Sequence, residues 1–558
     1  MYDVCIIGSG AGGAPIAYEL SRAGKRVLVL EKGRYYTEKD FFKDELAVSR
    51  RDIYTPPLDE EQHVIETQNS DGEWEAVESR KSGWNFWNGS MVGGSSNLMS
   101  GYFHRMKPND FKLLSTYGKI EGANIVDWMI DYKELEPYYD KVEKIVGVSG
   151  RVVKHPFLEP RSSAEYPFKP TWEHPISSWF DTACQKLGLY SIPTARAVLP
   201  SDALERKGCS YSNFCGSYGC ATGAKGNARS ALLNKALKTG NCTILSDSFV
   251  YKIDNDGKKA TKIHYYNKNG RSLHAEAKLF VLAAQAVESS RLLLNSKSSR
   301  FKNGLLNNYG QVGKNLIFSA GGSGEGRLRF EDLPKEKQNV LLLRGAFVNR
   351  SLQDWYEFEQ EGKKIKGGTI DFLFEHANPT NRAMGEVYDK DLNLIWGERL
   401  QQRIKYAFIR SRKFVFEVFN DWLPTDDCFV GVDENVKDKW GVPVAKIRLN
   451  SHNHDIEVGS FLAQKAETLL KEMGAVEIRS NISSAPPPNL VAGGCRFGNN
   501  EENSVLDRNC KAHALDNLYV TDASFMPTGG SVPYTWTIYA NSFRVADKIL
   551  KRFHDKEL

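Results

Sequence analysis

A glycine-rich turn near the start of the chain constrains its fold more than any other feature. The turn reads Gly-Ser-Gly-Ala-Gly-Gly and fits the pattern G-x-G-x-x-G at Gly8, Gly10 and Gly13. It lies between an apolar run at residues 4–7 and a predicted helix at residues 14–23. A strand, a glycine turn and a helix in this order are typical of the first unit of a parallel sheet that binds a dinucleotide.

Each of the three glycines has a separate physical task. Gly8 permits the tight turn, Gly10 lets the backbone approach a pyrophosphate, and Gly13 allows the helix to pack closely on the strand. A second predicted strand at residues 27–30 is followed by Glu31, where a carboxylate would bind the hydroxyl pair of a ribose. The motif predicts a dinucleotide site but does not by itself separate FAD from NAD.

Composition and charge exclude several functions. The 74 Lys and Arg residues and 69 Asp and Glu residues give a net charge of +5, which predicts no nucleic-acid role for a chain of this size. No apolar run reaches the roughly 18 to 20 residues that cross a bilayer. Residues 2–8 already resemble a core strand, so no signal peptide is expected. We therefore expect a cytoplasmic protein without a transmembrane segment, with export alongside a partner subunit left open.

Two domains are expected because a chain of 558 residues exceeds the usual size of a single core. Alternating runs at residues 340–348, 369–374 and 414–418 predict an antiparallel sheet that is distinct from the nucleotide-binding fold. The fold class is therefore predicted as α/β, with a Rossmann-like domain and a second domain built on an antiparallel sheet with helices.

The domain boundaries are placed where this pattern changes. Residues 1–320 and 481–558 are expected to form one discontinuous nucleotide-binding domain, and residues 321–480 are expected to form a substrate domain. Residues 35–80 are polar and irregular, so loops are predicted there. A cysteine-rich segment at residues 205–226 lies within the first domain.

Further motifs occur in an order that is specific to one family. They are Val92-Gly93-Gly94-Ser95-Ser96-Asn97, Arg105, Asp110-Phe111, and residues 246–250, 281–293, 313–316, 493–498, 504–505 and 517–524. Together they resemble the glucose–methanol–choline (GMC) oxidoreductase family. The resemblance covers both ends and the middle of the chain. It implies that the dinucleotide is FAD and that the first domain is an FAD-binding domain of the GMC type.

The resemblance also implies which residues of the second glycine loop hold FAD. Gly93, Gly94 and Ser95 would bring backbone amides and a hydroxyl against the flavin edge, since glycine adds no side chain there. Asn97 belongs to the same loop. An ordinary glycine turn is the alternative interpretation.

Two later segments are expected to contact other parts of the cofactor. Val250 ends the segment that resembles the adenine-contacting strand of the family. Asp522, followed by Ala523, ends an apolar strand and would bind the ribityl hydroxyls or the pyrophosphate. An aspartate that only caps the next helix is the alternative.

Three of the nine cysteines form a cluster in the sequence. An odd, scattered number of cysteines indicates reduced thiols. Cys209, Cys215 and Cys220 follow a C-x5-C-x4-C spacing that suits a soft metal centre. The segment resembles that of gluconate, fructose and FAD-dependent glucose dehydrogenases in this family, which implies a 3Fe-4S cluster. Ser212 stands where some relatives have another cysteine, and structural thiols, a local disulfide and zinc are alternatives.

The expected catalytic base is missing from the sequence. The family places a histidine three residues before a Gly-Gly pair, and Leu490 stands at that position before Gly493. The second catalytic position, histidine or asparagine in the family, falls on Val532 or Pro533. None of these side chains can transfer a proton.

Two interpretations follow from the missing histidine. In the first, the base has moved: Tyr534 could relay a proton, and Asn489 could orient a hydroxyl or stabilise an alkoxide. His104, after the glycine loop, is a further candidate, with a structural role as the alternative. In the second interpretation, alcohol oxidation has been lost.

The predicted function is an FAD-dependent dehydrogenase that oxidises an alcohol, sugar or polyol. The resemblance implies that electrons leave through the iron–sulfur cluster to a partner, which could be a small subunit, a haem protein or a quinone. The alternative is a divergent or accessory flavoprotein that keeps FAD but does not oxidise alcohols.

Overall fold

The strands are distributed along the whole chain. The computed structural model describes residues 2–42, 45, 54–84, 86, 89–319, 321–375, 378–389, 391–485 and 490–557. Its strands are β1 Tyr2–Ile7, β2 Val27–Leu30, β3 Val64–Gln68, β4 Trp74–Glu78, β5 Ile192–Pro193, β6 Cys242–Leu245, β7 Phe249–Asn255, β8 Ala260–Tyr266, β9 Ser272–Ala275, β10 Ala277–Leu282, β11 Ile317–Phe318, β12 Gly322–Arg329, β13 Arg350–Leu352, β14 Glu357–Gln360, β15 Lys363–Lys366, β16 Gly368–Phe374, β17 Ser411–Asn420, β18 Phe429–Lys437, β19 Pro443–Arg448, β20 Val476–Asn481, β21 Val491–Ala492 and β22 Leu518–Val520.

The helices alternate with these strands in the first part of the chain. They are α1 Ala14–Arg22, α2 Ser79–Ser82, α3 Leu113–Tyr117, α4 Tyr132–Val142, α5 Ile176–Leu187, α6 Asn234–Lys238, α7 Ala286–Asn295, α8 Lys335–Leu342, α9 Pro379–Met384, α10 Gly397–Lys405, α11 Asn453–Glu472 and α12 Thr535–His554. No helix in the described part of the chain is both long and apolar enough to cross a membrane.

A five-stranded parallel sheet forms the nucleotide-binding half. Its strand order is β22-β10-β1-β2-β6, and all neighbours run parallel. The strands β1, β2 and β10 are short apolar runs buried on both faces, as expected where helices cover a parallel sheet. The carboxyl ends of β1, β10 and β22 lie side by side, so the loops that follow these strands meet at one edge.

A six-stranded antiparallel sheet forms the second half. Its order is β20-β12-β17-β16-β13-β5. Every second residue of β17, including Phe414, Phe416 and Val418, packs in a core with α5 and α11. The residues between them face the opposite side of the sheet, which is the side of the nucleotide-binding half. The predicted α/β class with a second, antiparallel domain is confirmed.

Two local predictions were wrong. Residues 35–80 are not only loops: β3 and β4 form a hairpin, and β3 also pairs in parallel with β19. The run at residues 340–348 is not a strand, because α8 extends to Leu342 and no strand follows before β13. Both errors have the same cause, since a partner distant in the sequence decides whether a short run becomes a strand. The domain boundaries stay a prediction.

Candidate active site

The first glycine turn is held by close backbone packing. Gly8 has a φ of +96°, and a Cβ atom there would overlap the carbonyl oxygen of Ala283 at the end of β10. A Cβ on Gly94 would lie 3.0 Å from the Cα of Gly10, so the two glycine loops face each other closely. The helix α1 begins directly after the first of these loops, at Ala14. Backbone amides at a helix start are what a diphosphate needs.

Glu31 holds the two glycine loops together. Its carboxylate accepts hydrogen bonds from the Ser9 amide at 3.0 Å, the Ser9 hydroxyl at 2.5 Å and the Gly33 amide at 2.9 Å. The Ser9 hydroxyl also accepts from the Gly93 amide at 2.9 Å. Burial raises the pKa of Glu31, and the hydrogen bonds from Gly33 and Ser9 act against that rise. Glu31 therefore organises the turn as well as lying where a ribose was expected.

A single continuous cavity of about 680 Å³ begins at these loops. Its volume lies within the roughly 300–1,000 Å³ of small-molecule and cofactor sites. Most of the predicted cofactor-binding residues line it: Gly8, Gly10, Glu31, Gly94, Ser95, Val250, Asp522 and Ala523.

Three other predicted residues lie behind the cavity wall. Gly13 packs against the carbonyl of Gly8. Gly93 has a φ of +95° and lies against Asn97. The Asn97 amide donates to the carbonyl of Gly94 at 2.9 Å, within its own loop. These residues shape the loops rather than face the cavity.

Asp522 joins three segments at the carboxyl edge of the parallel sheet. Its carboxylate accepts from the Gln285 amide at 3.1 Å, the Ser289 hydroxyl at 2.5 Å and the Ser524 amide at 2.8 Å. A Cβ on Gly12 would lie 2.6 Å from the Asp522 amide, so the aspartate borders the first glycine turn. The two interpretations of Asp522 are compatible, because it caps the short helix Ala523–Phe525 and also lines the cavity.

A buried charge cluster closes the end of the cavity beside Val250. Lys32 lies 2.7 Å from Glu61, and Arg291 lies 3.2 Å from Glu288. Burial favours the neutral form of Glu288, but Arg291 and Lys32 outweigh it and lower its pKa to about 2. Its Oε1 atom is buried without a hydrogen-bond partner among the described residues. No sequence motif indicates this cluster, since its members come from separate segments.

The opposite end of the cavity contains the positions of the missing family histidine. Leu490, with a φ of +53°, and Pro533 both line it. Tyr534 lines it as well, and its hydroxyl is buried without a hydrogen-bond partner among the described residues. The Ser319 hydroxyl at this end is similarly unpaired within the described part of the chain. The other candidate, Asn489, lies outside the described residues.

Tyr534 is suited to donate a hydrogen bond rather than to accept a proton. Burial raises its pKa well above the ordinary value, and the charge of Asp421 adds to the rise. The phenol therefore stays protonated at neutral pH. His104 is placed differently: its Nε2 lies 3.0 Å from the Asp371 carboxylate, and it is absent from the cavity lining.

The antiparallel sheet supplies polar residues that the sequence analysis did not identify. Glu417 on β17 and Ser323 on β12 are register partners and both line the cavity. Tyr102 lies on the same wall. Burial, together with the nearby Asp371 carboxylate, raises the pKa of Glu417 to about 7. No local motif could have indicated Glu417, because only sheet pairing brings it to the cavity.

The three clustered cysteines share a second, small cavity. Cys209, Cys215 and Cys220 all line it, and none of them forms a disulfide. Lys225 is buried beside them and donates to the carbonyls of Cys215 at 2.9 Å and Asn97 at 3.1 Å. Among the described residues, no three His, Cys, Asp or Glu side chains are arranged to hold one metal ion. The positions of the thiols therefore do not match a formed cluster.

This cysteine segment also reaches the main cavity. Gly216 and Ser217, which directly follow Cys215, line the large cavity. The Ser217 amide donates to the carbonyl of Leu98 at 2.7 Å, at the end of the second glycine loop. Cys215 is thus directly adjacent in sequence to two residues that line the large cavity.

The geometry described above fits FAD. Two facing glycine loops beside a helix start can seat a diphosphate. Buried atoms of Glu288, Ser319 and Tyr534 that have no hydrogen-bond partner among the described residues are spread along the cavity. The fold and the cavity therefore define a Rossmann-type dinucleotide-binding protein.

Comparison with known proteins identifies the family. Models described as GMC oxidoreductase match residues 75–319 and 424–542, and a model of an NAD(P)-binding Rossmann-like domain matches residues 6–38. The chain belongs to the GMC oxidoreductase family, as its motifs predicted, and FAD is the cofactor that family and cavity support.

Similar proteins match the chain over nearly its full length. The 2-methyl-1,2-propanediol dehydrogenase of Mycolicibacterium austroafricanum is 28% identical, with 99% of this chain and 96% of the relative covered. The fructose dehydrogenase large subunit of Gluconobacter japonicus is 26% identical, with 98% and 97% covered. The structure of pyridoxine 4-oxidase from Mesorbium loti has a TM-score of 0.62 at 19% identity, covering 98% of this chain and 99% of that one, and shows the common fold.

Proposed function

We propose that the protein is an FAD-dependent dehydrogenase that oxidises the CH–OH group of an alcohol, sugar or polyol to a carbonyl. The observation that carries this proposal is the continuity of the cavity. It runs from the glycine loops to a polar end lined by Tyr534, Ser323 and Glu417. When bound, FAD supplies a two-electron acceptor for hydride. The chain itself has to hold the cofactor, exclude water and manage the hydroxyl proton.

Each part of the cavity has a task in this proposal. Gly8, Gly10 and α1 would hold the pyrophosphate, and Glu31 a ribose. Gly94 and Ser95 would border the flavin. Because Tyr534 is buried at the polar end, a hydrogen bond from it to a substrate there is stronger than in water. The names of two relatives, a diol dehydrogenase and a sugar dehydrogenase, support the same substrate class.

The second candidate function is a flavoprotein that binds FAD without oxidising alcohols. Leu490 and Pro533 at the positions of the family's catalytic residues favour it. Anaerobic mixing separates the two functions. The FAD-loaded protein is mixed with 2-methyl-1,2-propanediol, fructose, other sugars and simple primary alcohols. Bleaching of the visible flavin band by any of them supports the dehydrogenase. A band that persists with all of them supports the second candidate.

A further part of the proposal concerns the exit of electrons. We propose that residues 205–226 bind a 3Fe-4S cluster, which would supply a route for electrons to a small subunit, a haem protein or a quinone. The support is that three thiols line one pocket beside the cofactor cavity, in a relative of a fructose dehydrogenase large subunit. The present thiol positions do not match a formed cluster, so no electron-transfer step is assigned to it.

Iron content tests this part separately. Protein purified without oxygen should contain about three iron atoms per FAD if a 3Fe-4S cluster is present. The variant Cys209→Ser should lose most of this iron. The variant Cys184→Ser, which changes a buried cysteine outside the segment, on α5, should keep it. Iron-free protein with normal flavin reduction would remove the cluster from the proposal and leave the dehydrogenase intact.

The hydroxyl of Tyr534 gives a prediction in which stability and activity change in opposite directions. Phenylalanine removes a buried hydroxyl that has no partner among the described residues. We expect Tyr534→Phe to raise the free energy of unfolding of the FAD-loaded protein by about 1 kcal/mol, since an unsatisfied buried group is lost. Flavin reduction should slow by roughly tenfold if the hydroxyl donates to the substrate oxygen.

Tyr539→Phe is the matched control for this variant. Tyr539 is buried on α12, does not line the cavity, and its hydroxyl lies 3.5 Å from the carbonyl of Gly226. It should leave the reduction rate unchanged. Equal reduction rates for Tyr534→Phe and the unmodified protein would exclude Tyr534 from the reaction.

A further inference from the structure

The antiparallel sheet provides one wall of the cavity. Glu417 lies at the middle of β17, between Ser323 of β12 and Asp371 of β16. Directly opposed residues of paired strands project from the same face, so all three face the nucleotide-binding half. Of these residues, Glu417 and Ser323 line the cavity that also contains Leu490, Pro533 and Tyr534.

Glu417 has an unusual set of neighbours for a half-buried carboxyl group. It forms no hydrogen bond or ion pair with any other described residue. Most enclosed carboxylates of this protein do have such a partner; Asp371, for example, lies 3.0 Å from His104. A carboxyl group without a partner at the wall of a cavity indicates that its partner is a ligand.

The charged and titratable groups around Glu417 differ from it in their contacts. Asp371, from the adjacent strand, is held by His104 and by the Thr194 hydroxyl at 3.4 Å. Tyr102, which also lines the cavity, lies beneath the Arg196 guanidinium, which is 4.6 Å from the centre of its ring. Tyr534 stays protonated. Glu417 is therefore the group on this wall that is able to gain and lose a proton near neutral pH.

We propose that Glu417 is the catalytic base of this enzyme and takes the place of the histidine that the family motif would supply. The substrate O–H bond breaks and its proton passes to the Glu417 carboxylate. The C–H bond of the same carbon breaks, its hydride carries two electrons to FAD, and the C=O bond forms. The proton later leaves Glu417 to water. This inference rests on the proposed alcohol oxidation and names the residue that makes it possible without a histidine.

With Glu417 as the base, alcohol oxidation does not depend on the family's histidine. The base has moved from the segments that carry Leu490 and Pro533 to the antiparallel sheet, across the same cavity. Tyr534 can still donate a hydrogen bond to the substrate oxygen. A neutral donor on one side and a carboxylate on the other are sufficient to orient a hydroxyl group for proton removal.

Glu417→Gln tests the proposal, because glutamine keeps the shape of the side chain and removes the base. The rate of flavin reduction, measured anaerobically with whichever substrate reduces the unmodified protein, should fall about 10²- to 10⁴-fold. The rate of the unmodified protein should rise with pH and level off above about pH 7, because the base must be deprotonated to act. This rise should be absent from the variant.

The fold of the variant is checked independently of its activity. Since no described residue bonds to Glu417, the glutamine variant should bind FAD and unfold like the unmodified protein. Glu434→Gln is the matched control. It changes a carboxylate on β18 that is 61% exposed and paired with Lys297 at 2.6 Å. This control should keep both the rate and its pH dependence.

Two further measurements separate a base from a merely structural glutamate. Infrared difference spectra between low and high pH should contain a carboxyl band that titrates near pH 7 in the unmodified protein and is missing in Glu417→Gln. In Glu417→Ala, added acetate or imidazole should restore part of the reduction rate in proportion to its concentration.

The outcomes distinguish this inference from the proposed function. If no alcohol, sugar or polyol reduces the unmodified protein, the proposed function fails. If a substrate reduces the unmodified protein and Glu417→Gln equally fast with the same pH dependence, the function stands and Glu417 is not the base. If Glu417→Gln raises only the KM, and only for substrates with an ammonium group, Glu417 binds the substrate cation and is not the base. That result would also overturn the proposal.

Discussion

We expect Gly8→Ala to abolish FAD binding and to destabilise the fold, because the added methyl group has two independent costs in free energy. The new Cβ atom forces a left-handed residue at φ +96°, and it overlaps the carbonyl oxygen of Ala283, the residue directly after β10. The first cost is about 1–2 kcal/mol. The second adds about 1–3 kcal/mol, because the backbone atoms of Gly8 and Ala283 have to move apart.

Gly24→Ala separates these two costs. Gly24 also has a positive φ, +77°, but a Cβ atom there would meet no atom within 4 Å. It should lower the free energy of unfolding by only about 1–2 kcal/mol and leave FAD binding unchanged. The measurements are chemical unfolding and the ratio of flavin to protein absorbance after purification. Equal losses in the two variants would show that backbone strain, and not the contact with β10, matters at Gly8.

Asp522→Ala is the second change with a large expected effect. It removes the carboxylate shared by the Gln285 amide, the Ser289 hydroxyl and the Ser524 amide. Each buried donor that loses its partner costs about 1–3 kcal/mol, so we expect the free energy of unfolding to fall by at least about 3 kcal/mol. Because Asp522 also borders the first glycine turn, the affinity for FAD should fall by about 100-fold or more.

Asp522→Asn and Asp547→Asn provide the comparison. Asparagine at position 522 keeps one acceptor oxygen and should cause a smaller loss than alanine. Asp547 on α12 is 45% exposed, and its variant should behave like the unmodified protein within about 0.5 kcal/mol. FAD affinity is measured by adding FAD to the apoprotein and following the quenching of flavin fluorescence. An unchanged affinity in Asp522→Ala would restrict Asp522 to its capping role.

Much of the cofactor site could be predicted from the sequence, because its chemistry is local. The G-x-G-x-x-G turn, the strand before it and the helix after it lie within residues 2–22, and backbone geometry fixes their arrangement. The same holds for the loop that contains Gly94 and Ser95. A glycine turn, apolar runs and a terminal acid predict the same local structure wherever the rest of the chain lies.

The substrate end could not be predicted in the same way. Glu417 stands in an alternating strand in which nothing marks it as different from a solvent-facing glutamate. Its pairing with Ser323 and Asp371, residues 94 and 46 positions earlier, turns it towards a cavity and away from bulk water. Its raised pKa is a consequence of that enclosure.

The sequence alone determined that this protein has a Rossmann-like fold, belongs to the GMC family and lacks the family's catalytic histidine. These conclusions depend on residues that are close together in the chain. Only the tertiary structure decided which side chains meet at the far end of the cavity and which of them keep a partner. Burial and proton affinity depend on distant strands, so no local pattern could have placed Glu417 and Tyr534 in one cavity.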